Sequence, residues 1–197
     1  MGKEELFLSS NDRVLKKIIE EINLPTFPLR NSVFHDLMAC VIEQQIPYRS
    51  TKRTFNKLLD KAGIPELTPD NFGILEKYAL HDAKLSENKV ATIERILDRW
   101  HSMPTDWNSL SDEEVRNSLR QIKGIGPWTI DMILLYTLKR PDIFPADDYH
   151  LKQLMPRLYG LDTKSRLKSQ MKVVAENWSP HRSIAVRYLL EWKKVGL

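Results

Sequence analysis

LRQIKGIGPWTIDMILLYTLKRPDIFPADD, residues Leu119–Asp148, decides the fold. Val115, Leu119 and Ile122 recur at i, i+4, i+7, one face of a helix that runs into this stretch. Ser111, followed three residues later by Glu114, is a capping box that starts the helix. Gly124-Ile125-Gly126-Pro127 comes next. Two glycines tolerate the positive φ of a tight turn, and Pro127 suits the first turn of a new helix, where a missing N–H costs nothing. A second apolar series, Ile130, Ile133, Leu134 and Leu138, continues at helical spacing. The pattern predicts two helices joined by a sharp hinge, a hairpin over about residues 112–138. At the hinge the second helix presents the positive end of its dipole, a place suited to a phosphate. Backbone N–H groups of Gly124, Ile125 and Gly126 are the expected donors, and glycine leaves room for a nucleic-acid backbone to approach.

Outward from the hairpin the pattern stays helical. Residues 11–22 place Val14, Ile18 and Ile22 on one face, capped by Asn11 or Asp12. Leu24 to Arg30, with Pro25 and Pro28, is a connector. Ser32 opens a helix with Val33, Leu37, Val41 and Ile42 inward, ending near Pro47, which biases Ile46 away from the α region. Residues 49–63 form another, closed by Gly63. Thr68-Pro69 caps a short helix through Tyr78, and Leu85 to Trp100 follows with Val90, Ile93, Ile96 and Leu97 inside. After Asp148, helices are expected to about Leu158, over Lys164–Asn177, and from His181 to Lys194. Alternation of period two is absent over any useful length, so the chain is assigned all-α.

With 197 residues, 42% of them apolar, the chain can bury a substantial core in one domain or in two closely packed lobes. A net charge of +4 suits a polyanionic partner without requiring one. The single cysteine, Cys40, excludes an internal disulfide and any four-cysteine metal or iron–sulfur site. No run of 18 apolar residues and no signal peptide is visible, so no membrane partner is expected. The expected compartment is intracellular: cytoplasm and nucleoid, or nucleus in a eukaryote. The five histidines show no metal-ligand spacing and are assigned to structure or surface.

Leu-x-x-Ile-x-Gly-Ile-Gly-Pro-Trp-Thr, with an aspartate about twenty residues past the turn, resembles the helix-hairpin-helix base-excision DNA glycosylases. Within them the 3-methyladenine DNA glycosylase II branch matches best. The segments Phe-Pro-Ala-Asp147-Asp148-Tyr149 and Trp178-Ser-Pro-His-Arg182-Ser183 resemble that branch too, and the similarity runs from about Ser32 to Trp192. The resemblance implies an HhH-GPD fold, a two-lobed helical bundle over residues 1–197 with a cleft between the lobes and the hairpin at its edge. The N-terminal β-containing domain of the compared family member is expected to be lacking. The implied activity is monofunctional excision of alkylated purines, 3-methyladenine and 7-methylguanine, from damaged duplex DNA by base flipping, on a monomeric enzyme.

Asp148, directly before Tyr149, matches the family's catalytic aspartate; on the residues alone, an N-cap is the more common role for such an Asp. Asp147 is assigned to capping or shaping the turn. One carboxylate suffices in this chemistry. Cleavage of the N-glycosidic bond puts positive charge on the deoxyribose, which a buried anion stabilises, while an alkylated purine leaves without a general acid. Trp128 stands where lyase-type relatives carry the Schiff-base lysine; it is a base-pocket wall or a core residue. Tyr149 is the second pocket wall, with Tyr136 and Trp178 further candidates for which core packing is the competing role. Gln44-Gln45-Ile46 resembles the loop that fills the hole left by the flipped base, with Gln45 as wedge and Ile46 next, although Glu43 stands where the family often has Gly. Arg49, Lys52 and Arg53 beside it contact phosphates or form a solvated face. Arg182 and Ser183 are DNA-contact candidates, with Arg182 alternatively pairing a core carboxylate. The resemblance also places a structural Na⁺ or K⁺ on the backbone carbonyls of Arg120, Ile122 and Ile125, with no cofactor for catalysis. Two other functions fit the same pattern: a glycosylase for deaminated or other neutral lesions, or a non-catalytic hairpin protein that only binds DNA.

Overall fold

A computed structural model describes residues 1–25, 32–43 and 53–196. Among them every regular element is helical. The chain divides into two compact units: Met1–Leu29 with Leu134–Leu197, and Arg30–Ile133. No helix among the described residues is long and apolar enough to cross a membrane.

The first unit opens with two helices that sequence periodicity does not fully reveal. α1 spans Lys3–Asn11 and α2 spans Arg13–Glu21. α1 lacks an apolar stripe: Leu8 is its one buried residue, so no repeat announces it. Asp12 joins the pair, ending α1 with its backbone N–H on Leu8 and starting α2 with its carboxylate on the Val14 and Leu15 N–H groups. The inward face of α2 is Leu15, Ile18 and Ile19, with Ile22 buried just past its end; of the expected Val14, Ile18 and Ile22, Val14 is the one that is only half-buried.

α9, α10 and α11 complete this unit at Tyr149–Tyr159, Leu167–Glu176 and Arg182–Gly196. α11 packs on α2, α9 and α1, and α10 packs on α9. Asp12 ties them together. Its Oδ2 accepts from the Trp178 indole N–H at 2.7 Å and from the Tyr159 hydroxyl at 2.9 Å. Its Oδ1 accepts the two α2 amides at 2.8 and 3.0 Å. Burial first, and Asp12 second, push the Tyr159 hydroxyl far above the usual phenol range.

The second unit is built around α3, Val33–Ile42, which is buried along nearly its whole length. Ser32 caps it as expected, its hydroxyl accepting the His35 N–H. His35 is 1% exposed; its Nδ1 accepts the Leu67 N–H at 3.0 Å and its ring meets Phe55 edge-on. α4 (Arg53–Ala62), α6 (Glu87–Trp100) and α8 (Pro127–Met132) pack around α3. α5, Phe72–Tyr78, starts at Asn71, which exchanges hydrogen bonds with Thr68; a 3₁₀ turn at Leu80–Ala83 follows it. In α6 Ile93 and Ile96 are buried as expected, together with Thr92, whereas Val90 is 41% exposed and Leu97 half-buried.

α7, Asp112–Arg120, begins with the Ser111–Glu114 capping box. The second helix of the hairpin is shorter than its apolar series suggests. α8 stops at Met132 and the chain widens into a π turn over Ile133–Thr137, then ends at Lys139 with φ +53°. Gly126 is in extended backbone, φ −94°, so only Gly124, at φ +108°, uses the freedom that two glycines offer.

Replacing Asp12 with Ala would strand the buried Trp178 and Tyr159 donors and uncap α2. Urea unfolding should show a loss of about 3 kcal/mol, and Asp12→Asn, which keeps an acceptor oxygen, should lose less.

Candidate active site and nucleic-acid interface

The hairpin turn is held from below by α6. A Cβ on Gly124 would lie 2.2 Å from the Thr92 hydroxyl oxygen and 2.8 Å from its methyl carbon. Thr92 cannot retreat easily, since it is 6% exposed and its hydroxyl donates to the Asn88 carbonyl at 2.8 Å. From the same helix Arg95 donates to the Lys123 carbonyl at 3.4 Å and Arg99 to the Gln121 side chain at 3.3 Å. Inside the hairpin, Arg116 of α7 meets the buried Asp131 of α8 at 2.6 Å, joining the two arms by charge. None of Thr92, Arg95, Arg116 or Asp131 is a motif residue. Arg116 and Asp131 were recognisable only as opposite charges on facing arms.

The turn then opens outward. A Cβ on Gly126 would meet nothing within 4 Å. Pro127 takes the first position of α8, where its missing N–H is harmless. The expectation of three phosphate-directed N–H groups needs one correction: the Ile125 N–H is spent inside the turn on the Ile122 carbonyl at 3.0 Å, and Ile125 is buried. Gly124 and Gly126 keep their places as candidates. Trp128, in the first turn of α8, is half-buried, so it is neither sealed in the core nor fully exposed.

In the first unit Asp148 is 2% exposed and is the N-cap of α9. Its Oδ1 accepts the His150 and Leu151 N–H groups, both at 2.9 Å. Capping and catalysis are competing roles on the sequence, and the cap is real: two amide bonds fix the orientation of a buried carboxylate. Asp147 differs. Lys168 and Lys152 reach it at 2.5 and 3.3 Å, and these ammonium groups hold its carboxyl below the usual range against the pull of burial.

Beside Asp148, Tyr149 is 65% exposed. The Lys193 ammonium stands 5.9 Å from its ring centre, 2.7 Å from His150 Nδ1 and 3.0 Å from the Gln153 side-chain oxygen. Burial and Lys193 push the His150 imidazole below its usual value, while Asp148 pulls it up. Lys193 lies far along the chain, and nothing in its local sequence signals this cluster.

Three candidate roles are corrected by packing. Trp178 is fully buried, bonded to Asp12 and edge-on to Phe144, which makes it a core residue and not a pocket wall. Arg182 grips Asp142 through two bonds of 2.7 Å, and Asp142 also accepts the Ser179 hydroxyl and the Arg182 N–H. Ser183 is buried; its hydroxyl accepts the Ile143 N–H and donates to the Arg140 carbonyl. Arg182 and Ser183 therefore staple the 140–143 segment to the start of α11, Arg182 by the carboxylate pairing that was its alternative role. Tyr136, half-buried, lines a recess of the first unit with Lys139 and His181. The wedge candidates Gln44, Gln45 and Ile46 lie outside the described residues, as do Arg49 and Lys52. Glu43, just before them, accepts the Phe55 N–H at 2.9 Å. Among the described residues no group of three or more His, Cys, Asp or Glu could hold a metal ion.

Residues 38–181 match the family described as HhH-GPD superfamily base excision DNA repair protein. The chain is 30% identical over 192 residues to the putative DNA-3-methyladenine glycosylase YfjP of Bacillus subtilis, covering 92% of this chain and 65% of that one, just under two thirds of its length. It is 27% identical over 207 residues to DNA-3-methyladenine glycosylase 1 of Schizosaccharomyces pombe, covering 100% of this chain and 89% of that one. A solved Schizosaccharomyces pombe 3-methyladenine DNA glycosylase in complex with abasic DNA superposes with TM-score 0.82 at 27% identity, over 99% of this chain and 98% of that one.

Gly124→Ala should destabilise the chain by roughly 1–3 kcal/mol in thermal or urea unfolding, whereas Gly126→Ala should leave stability within about 0.5 kcal/mol. Burial pushes the Asp142 carboxyl up, but the Arg182 guanidinium and the Ser179 hydroxyl outweigh it and hold it below the usual range. A depressed carboxyl stabilises the fold above its unfolded pKa of about 3.9 and loses that contribution as pH falls through the folded value. Arg182→Ala should therefore cost about 1–2 kcal/mol near pH 7, with the gap to wild type closing in acid unfolding curves below about pH 4.

Proposed function

The chain belongs to the HhH-GPD superfamily of base excision DNA repair proteins, and from that premise we propose that it excises alkylated purines, 3-methyladenine foremost, from duplex DNA. The observation that carries the proposal is Asp148: a buried carboxylate held by two backbone N–H groups at the start of α9, at the position that resembles the family's catalytic aspartate.

The chemistry follows from that setting. As the C1′–N bond of a flipped, cationic purine breaks, its electrons pass to the base and neutralise it, while positive charge develops on the sugar. An anion fixed in a low-dielectric site stabilises that charge more than a solvated one does, because it needs no reorganisation. Water adds at C1′, and Asp148 orients it or takes its proton, leaving an abasic sugar. Trp128 stands at the position resembling the Schiff-base lysine of lyase-type relatives and offers no amine, so the strand stays intact. Its partly open ring, and the exposed ring of Tyr149, suit stacking on a flipped base and attraction of a positively charged one.

The hairpin supplies the hold on the DNA backbone through Gly124 and Gly126. The carbonyls of Arg120, at the end of α7, and of Ile122 and Ile125, in the turn that follows, are hard oxygen donors. That set fits a monovalent Na⁺ or K⁺, which would offset the charge of an approaching phosphate. The Ile122 carbonyl already accepts the Ile125 N–H but keeps a second lone pair. Damaged duplex DNA is the proposed partner, the protein acting as a monomer inside the cell.

Base release from methylated duplex DNA tests the proposal. Wild type should release 3-methyladenine, and Asp148→Asn should be slower by about two to three orders of magnitude, with strand breaks appearing only after alkali. Breaks without alkali would overturn the monofunctional assignment, and no release of any methylated base would overturn the substrate class. Gly126→Ala, whose methyl projects into open space at the turn, should fold normally yet raise the KM for damaged duplex.

A further inference from the structure

The Arg182 and Ser183 bonds leave a question that excision does not answer: what the stapled 139–141 turn is for. The π turn ends there in a tight stop. The Arg140 N–H bonds back to the Leu134 carbonyl at 2.9 Å, and Lys139 sits at φ +53°. Glycine is the usual residue at such a helix end, since a side chain strains it. Here an exposed lysine occupies it. The turn is then fixed from α11: Ser183 holds the Arg140 carbonyl, and its own N–H donates to the Pro141 carbonyl at 3.0 Å.

What this fixed turn borders is a pocket of about 350 Å³, wholly within the first unit. Lys139 and Arg140 enter it from the turn and Arg187 from α11; Glu4 of α1 is the acidic residue on its wall. Three of the lining residues are thus basic and one is acidic. Tyr136 and His181 add flat walls over an apolar floor, and the Phe7 ring braces His181 edge-on at 5.2 Å. Arg187 is anchored by a 3.1 Å bond to the Pro25 carbonyl, which limits its freedom to swing out. Guanidinium and ammonium groups converging on a concave, partly aromatic site match a phosphate ester with a planar group attached.

We propose that this pocket binds a phosphate group, with Lys139, Arg140 and Arg187 as its cationic ligands. The chemistry is that of a phosphate ester, whether it belongs to a free nucleotide or to a DNA strand. The assignment does not rest on the glycosylase function, because it is read on the protein alone.

The test is a ¹H–¹⁵N NMR titration of the full chain with inorganic phosphate and with thymidine 5′-monophosphate, against sodium chloride at matched ionic strength. Saturable shifts confined to Tyr136, Arg140, Ile184 and Arg187 are expected for at least the nucleotide. Lys139→Gly removes the charge while suiting the left-handed backbone, so misfolding cannot account for its effect; affinity should fall by about tenfold. A second arm measures undamaged duplex binding against salt. If Lys139→Gly flattens that dependence by about one unit of log–log slope, the phosphate belongs to a DNA strand; an unchanged slope with nucleotide binding assigns a free ligand. Shifts no larger than those from chloride, with an unchanged slope, would overturn the proposal. Pocket shifts that Lys139→Gly leaves intact, again with an unchanged slope, would also overturn it.

Discussion

The contact between the Gly124 backbone and the Thr92 side chain sets the shape of the hairpin. A turn that tight must rest on something, and it rests on α6, where Thr92 is itself pinned to Asn88 and cannot yield. Arg95 reaches the same turn through the Lys123 carbonyl, and the Arg116–Asp131 pair prevents the arms from splaying. The two glycines of the turn thereby have separate roles. Gly124 is required by what lies beneath it, and Gly126 by the open space it leaves in front. A Cβ would collide with Thr92 at the first and project into open space at the second.

Aspartates show how one side chain serves opposite ends. Asp12 is a structural hub, collecting an indole, a phenol and two amides. Asp142 is paired to a guanidinium and Asp147 to two ammonium groups, and each is thereby held below the ordinary carboxyl range. Asp148 is fixed by amides. The amide donors of His150 and Leu151 fix the orientation of its carboxylate at the start of α9. Adjacent residues of identical type differ in this way because Asp148 begins a helix and Asp147 does not.

Much of what resembles a functional signature is scaffold. In the Trp178–Ser183 segment the residues singled out are each tied into the fold: Trp178 fills the core, Arg182 pairs Asp142, and Ser183 secures the Arg140 carbonyl. Its distinctiveness as a motif reflects several simultaneous packing and hydrogen-bonding demands at one place. Such demands restrict residue type as severely as chemistry does, which is why a motif by itself does not separate them.

Local rules settled a large share of this protein. The helical period, the Ser111–Glu114 box, the Ser32 cap, Pro127 at a helix start and the position of Asp148 before α9 all follow from interactions within a few residues, and all are visible in one dimension. Where a face was half-polar its edge was ambiguous: Ile18, Ile22, Ile93 and Ile96 are buried as the period predicts, whereas Val14, Val90 and Leu97 are not; α1, with one buried residue, had no period to detect. Tertiary structure alone decided which glycine is crowded, that Ile125 spends its N–H inside the turn, and that Lys193 meets His150. It alone decided that Arg182 pairs Asp142 and that Trp178 fills the core. These depend on partners tens of residues away, and distance along the chain carries no information about contact in space until the core has chosen which faces to bury.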